Sequence, residues 1–180
     1  MTTDANANET MNTADAVLAQ AAAKLSLIER RRIEAGVLIP LIRAFQAEFG
    51  VERATEVAKR VIVGIAEQQG REHAARRGRN DLAAFSENMQ AFSGGGALEI
   101  EMVERNDERL GFNVTRCRFA EMYRELDAGD LGGLLSCNRD FSNVNGFNPA
   151  IQLTRTQTIM QGADHCNFRY AAAPQPSESA

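Results

Sequence analysis

The chain is predicted to be an α+β protein: a helical N-terminal half of about three helices packed on a small antiparallel sheet with short helical inserts. Three observations predict it. Apolar residues recur at three-to-four spacing from about residue 25 to 77. The run Ser93-Gly94-Gly95-Gly96 is the strongest break in the chain. Beyond it the apolar period falls to two, as on a half-exposed strand.

The elements follow in order. Residues 1–22 are rich in Ala, Thr and Asn and lack large apolar side chains, so they are expected to stay loose. Leu25 to Phe49 reads as a helix, with Leu25, Ile28, Arg32, Ala35, Ile39, Ile42 and Phe45 or Phe49 as its stripe. Pro40 is expected to kink or split it, and Gly50 to stop it. Val51 to about Arg77 is the second helix, with Val57, Val61, Ile62, Ile65 and Ala66 expected inside. Asp81 is a plausible N-cap for a third helix, 81–92.

Ala97 to Glu104 and Leu110 to Cys117 alternate and read as a hairpin. Arg118 to Leu126 and Asp130 to Phe141 read as short helices. Ile151 to Met160 and Cys166 to Tyr170 read as strands. Pro174 to Ala180 is an expected loose tail, which leaves residues 23–173 as one domain.

Composition narrows the function. A net charge of −4 gives no support to nucleic-acid binding. No apolar run approaches the roughly 20 residues that a membrane span needs. Residues 1–23 lack the basic start of a secretion signal, and the three cysteines are irregularly spaced. The expectation is a cytoplasmic protein with reduced thiols. The basic cluster Arg71–Arg79 reads as a solvated helix end, and His73 within it as a solvated histidine.

The chemistry gathers in the last third. Cys137 and Asp140 are three apart, so on a helix they share a face. His165 and Cys166 are neighbours, and on a regular strand they would point to opposite faces. A thiol, an imidazole and a carboxylate are the parts of a nucleophilic site. They are also the parts of a metal site, although no Cys-x-x-Cys or His-x-x-x-His pair occurs here. The plain alternative is that Cys137 fills core and Asp140 is a helix-end charge. Arg139, Arg155 and Arg169 could each clamp a carboxylate by paired hydrogen bonds, or form surface ion pairs. Cys117 reads as core filling. Gly94–Gly96 lacks a following Lys-Ser or Lys-Thr and reads as a linker.

These residues sit in a recognisable series: Asn113-Val114-Thr115-Arg116-Cys117, Cys137-Asn138-Arg139-Asp140-Phe141, Gly146-Phe147-Asn148-Pro149, Leu153-Thr154-Arg155-Thr156-Gln157 and His165-Cys166-Asn167-Phe168-Arg169-Tyr170. The series resembles the L-2-amino-thiazoline-4-carboxylic acid hydrolase family over roughly Ala97 to Tyr170. The resemblance implies a hydrolase that opens a small cyclic amidine-like ring bearing a carboxylate. It places Cys137, Asp140, His165 and Cys166 in the family's cysteine-containing motifs as catalytic candidates. The expected roles are attack by Cys137 or Cys166, proton transfer by His165 and orientation of His165 by Asp140. Arg155 is expected to hold the substrate carboxylate, with Arg139, Asn148, Thr156 and Arg169 completing the binding set. No cofactor is expected, and a divalent metal held by the same residues is the rival mechanism. A non-catalytic binding or sensor protein is the rival from another class. The expected partner is a small carboxylate substrate; the apolar stripe of the first helix reads first as core, with a dimer interface to a second copy as the alternative.

Overall fold

The computed structural model describes residues 25–87 and 93–172. The expected loose ends, 1–22 and 174–180, lie outside them. The chain forms helix α1 (Leu27–Phe49), α2 (Val51–Arg77), short α3 (Leu82–Ser86), strand β1 (Leu98–Arg105), β2 (Arg109–Cys117), α4 (Arg118–Glu125), α5 (Gly129–Gly132), α6 (Asn138–Phe147), β3 (Ile151–Thr154) and β4 (Cys166–Ala172). The sheet is antiparallel throughout, in the order β1-β2-β4-β3. The α+β expectation holds.

Local chemistry sets the helix ends. Ser26 caps α1 in a reciprocal box with Glu29, and Gly50 closes it at φ 86°. The Asp81 carboxylate accepts the Ala84 amide at 2.7 Å and starts α3. That helix ends at Ser86, short of the expected 92, and residues 88–92 are outside the described set. Pro40 does not split α1. Both Pro40 and Gly36 are exposed, so the Gly36 carbonyl that loses its amide partner can be hydrated.

The expected 130–141 helix is longer and irregular. A π-turn, Gly133–Cys137, joins α5 to α6, and α6 runs on through Gly146 and Phe147. Gly146 is helical because α6 lies directly against α2. A Cβ at Gly146 would stand 2.0 Å from the Glu67 carbonyl oxygen, and one at Gly70 would stand 2.1 Å from that of Asn143. Only glycine permits this approach. His73, expected in solvent, is buried on the same helix with its ring 5.1 Å from Phe147.

The last strands also differ from their expected limits. β3 stops at Thr154, and a 3₁₀ turn spans Ile159–Gln161, so Arg155 lies just past a strand end and not within one. The inward face of the sheet carries Leu110, Phe112 and Val114 from β2 and Cys166, Phe168 and Tyr170 from β4. Phe112 pairs with Phe168 across the ladder, and the rings stack at 4.9 Å.

Two expected stripes need correction. On α1 the buried residues are Ile28, Arg31, Ala35 and Ile42; Arg32 instead reaches outward to Glu125 at 2.9 Å. Phe45 and Phe49 are exposed. On α2, Ile62 and Ala66 are buried, but Val57, Val61 and Ile65 are not. Both helices are apolar on more than one side, and only one side faces the domain.

Candidate functional site

The helical layer and the sheet enclose a cavity of about 130 Å³. Phe85, Ile100, Phe112, Val114 and Phe168 make an apolar wall. A second wall is polar and comes mainly from the π-turn and α6: Ser136, Cys137, Arg139, Asp140 and Asn143. The π-turn widens the helix where Ser136 and Cys137 meet the cavity. A volume near that of a benzene-binding engineered cavity, about 150 Å³, suits one small flat ring.

Asp140 and Arg155 form the centre of the polar wall. Arg155 Nη1 donates to Asp140 Oδ2 at 2.5 Å, and Nη2 donates to the Cys137 carbonyl at 3.1 Å. The guanidinium also lies 5.0 Å from the ring centres of both Phe141 and Phe168. The Arg155 side chain is only 6% exposed, and the 34% exposure of Asp140 opens onto the cavity it lines. Burial pushes the Asp140 carboxyl above the ordinary carboxylate range, against the opposing pull of Arg155.

Arg139 is a second buried cation on this wall, and its Nη2 donates to Gln69 Oε1 at 3.0 Å. Burial, and then the nearby Arg31, lower its pKa to about 10. Its hydrogen bond goes to a neutral amide, so an anion in the cavity would relieve its desolvation. Asn143 Nδ2 donates to the Ala66 carbonyl at 3.3 Å, which fixes the amide's orientation. Its Oδ1 is buried with no hydrogen-bond partner.

Three thiols border the cavity: Cys117, Cys137 and Cys166. Burial pushes Cys137 up to about 12, with the Asp140 charge adding to it, and pushes Cys117 up to about 11. Cys166 is raised by burial, and its sulfur accepts the Ile159 amide at 3.2 Å. All three are therefore neutral thiols near pH 7.

The structure brings Cys137, Asp140, Cys166, Arg139 and Arg155 to one cavity, and His165 is not among its lining residues. His165 lies in a bend just before β4, not within it. Its Nδ1 lies 2.7 Å from Asp164 Oδ1, and Gln157 Nε2 lies 3.3 Å from its ring. Asp140 thus pairs with Arg155 where a histidine was expected. Asn148 also lies off the cavity; it closes α6, accepting from the Ala150 amide at 2.9 Å and donating to the Asn80 carbonyl at 2.8 Å. Thr156 is exposed and accepts from Asn167 at 2.8 Å. Arg169 lies on the other sheet face, donating to the Phe112 carbonyl at 2.9 Å and Asn113 Oδ1 at 3.0 Å.

Sequence reasoning missed Arg31, Gln69 and Asn143. Arg31 had a signal, since a charge in phase with Ile28, Ala35 and Ile42 is a charge facing inward. Among the described residues, no group of three or more His, Cys, Asp and Glu side chains is arranged to hold a metal ion. No helix among them is long and apolar enough to cross a membrane.

A sequence model of the L-2-amino-thiazoline-4-carboxylic acid hydrolase family matches residues 30–170. Among solved structures, the chain is similar to the phenol-responsive sensory domain of the transcription activator PoxR with phenol. The identity is 11%, over 75% of this chain and 72% of that one, with a TM-score of 0.49. It is also similar to a trafficking protein particle complex subunit 3 from Naegleria fowleri covalently bound to palmitic acid. Here the identity is 9%, over 83% of this chain and 98% of that one, with a TM-score of 0.50. At such identity the latter likeness is one of fold alone. No curated protein matches the chain.

Proposed function

We propose, for a chain that belongs to the L-2-amino-thiazoline-4-carboxylic acid hydrolase family, that it hydrolyses a small cyclic amidine or thiazoline-type ring bearing a carboxylate. The observation that carries this reading is the Asp140–Arg155 pair set in the wall of a cavity the size of one ring. Arg139 offers the anchor for the carboxylate, because Asp140 already neutralises Arg155. The unpartnered Asn143 Oδ1 accepts an N–H from the ring or its amino group.

The chemistry follows from these groups. Asp140 accepts a proton from water as the water oxygen bonds to the ring carbon between sulfur and nitrogen. The C=N electron pair moves to the ring nitrogen, which takes that proton. Asp140 then accepts the proton of the new hydroxyl as the C–S bond breaks. It passes this proton to the departing sulfur. The products are a thiol and a carbamoyl group, and one water has been consumed. A carboxyl raised by burial is suited to this exchange, since it both accepts and releases protons closer to neutral pH. Cys137 or Cys166 as the attacking group remains the covalent variant. The neutral state of both thiols favours water.

The test is incubation of the protein with thiazoline carboxylates, hydantoins and other small cyclic amidines, with detection of ring-opened product. Turnover abolished in Asp140→Asn but kept in Cys137→Ala and Cys166→Ala supports the water mechanism. The second reading, a non-catalytic binder, is favoured by the aromatic wall and the absence of His165 from the cavity lining. Thermal stabilisation by such rings without product would establish it.

A further inference from the structure

The outer side of the α1–α2 hairpin is apolar, and no described residue covers it. On α1, Ile33, Val37, Leu41 and Phe45 follow at four-residue spacing and are 61, 66, 43 and 44% exposed. On α2, Val57, Val61 and Ile65 repeat the spacing at 45, 55 and 44% exposed. Helix phase, about 100° per residue, puts both ridges on one face. α1 turns Ala35 and Ile42 toward α2 and the domain, and α2 turns Ile62, Ala66 and Gly70 toward α1 and α6. The remaining side of each helix carries its ridge. Phe49 and Val51, 56 and 59% exposed, continue the face around the turn.

Size and shape both point to an occupant. These side chains expose on the order of 800 Å² of apolar surface, about what each partner gives to a standard stable interface. A monomer's largest apolar patch is usually about 300–600 Å². Gly36 and Gly64 are also on the exposed surface of these helices, and a Cβ at either would meet nothing within 4 Å. Glycine is a poor helix former, and no contact among the described residues calls for it there. At Gly70 and Gly146 it lets two helices touch; at Gly36 and Gly64 it leaves room for helices from outside.

We infer that this face binds a second copy of the chain, two hairpins joining as an antiparallel four-helix layer about a two-fold axis. The charges at its ends fit a like partner. Arg30 and Glu48 are exposed near opposite ends of α1, each nine residues from Ile39. An antiparallel pairing of α1 with its copy about that point sets Arg30 of each chain opposite Glu48 of the other.

Sedimentation and light scattering of the full chain at about 50 µM test this. The expected mass is twice 19.7 kDa. Val37→Glu and Val61→Glu sit on exposed positions, and each should weaken association at least about 100-fold while leaving the circular dichroism unchanged. Arg30→Glu should weaken it less, and Arg30→Glu with Glu48→Arg should restore it, which keeps the test alive if a valine variant fails to fold. A wild-type chain that is monomeric at this concentration overturns the proposal. So does a dimer indifferent to both valine variants. A monomer whose melting temperature falls on Val37→Glu would show the face covered from within the chain, and also overturns it.

Discussion

The Asp140 carboxylate and the Arg155 guanidinium lie 2.5 Å apart, held on α6 and just beyond the end of β3 respectively. The pair joins the helical layer to the sheet where the two enclose the cavity. It ties the two layers together, and Asp140 is the one carboxyl among the residues that line the cavity.

Replacing Asp140 by Asn keeps the shape and removes the proton acceptor. Turnover of the ring substrate should fall by roughly 10²- to 10⁴-fold, the usual contribution of a general acid-base group. His165→Ala, on a side chain turned toward Asp164, should change turnover less than about twofold. Steady-state kinetics on the two variants checks both expectations, and equal losses would contradict the assignment.

Replacing Arg155 by Met should destabilise the fold by about 3 kcal/mol at neutral pH, because a buried carboxylate loses its counter-charge. The deficit should shrink with acid. The Asp140 pKa is already raised by burial, and the loss of Arg155 raises it further. A carboxyl that holds its proton more tightly folded than unfolded disfavours folding at high pH. That penalty fades as pH falls through its folded pKa toward about 3.9. Urea unfolding at several pH values gives the slope.

The thiols should be sluggish. With Cys137 pushed up to about 12, its thiolate fraction at pH 8 is about a thousandfold below that of a thiol at 9.0. Alkylation of the folded chain should be far slower than of the unfolded chain and should still be rising above pH 10. Mass spectrometry of alkylated peptides reads this out. A fast-reacting Cys137 at pH 7 would restore the covalent variant.

His73 should make the fold sensitive to mild acid. Burial, and then Arg77 and Arg76, lower its pKa, and Arg77 Nε donates to its Nε2 at 3.2 Å. A histidine kept neutral in the folded state supports folding fully above its ordinary pKa near 6.5. The support is lost as pH falls from there through the depressed folded value. His73→Gln should flatten the fall in melting temperature between about pH 7 and 5.

Much of this was legible beforehand, and the misses have physical reasons. The Ser93–Gly96 break and the change of period gave the α+β division; the expectation that His165 and Cys166 do not face one site together agrees with a cavity lined by Cys166 and not by His165, although His165 lies in a bend before the strand. The π-turn was not legible, because Gly-Leu-Leu-Ser-Cys carries no sign of its extra winding. The extension of α6 past Phe141 through Gly146 was not legible either, because the close approach to the Glu67 backbone that uses this glycine is a tertiary contact. The partner of Asp140 was hidden because the polar run after Leu153 suits a pocket wall and an exposed edge equally. The stripes of α1 and α2 misled because each helix has apolar side chains to spare, and periodicity alone does not say which side the domain takes.

The irregular winding at Gly133–Cys137 ties the outline of the cavity to chain length. Deleting one residue there would restore ordinary helical pitch, and because the wide turn already absorbs that extra residue, α6 would keep its face toward the cavity. Asp140 and Asn143 would hold their places and Gly146 its contact with Glu67, while the wall at Ser136 and Cys137 would draw in. A chain of the same shape but one residue shorter at this point is therefore expected to keep the Asp140–Arg155 pair in a cavity of altered outline.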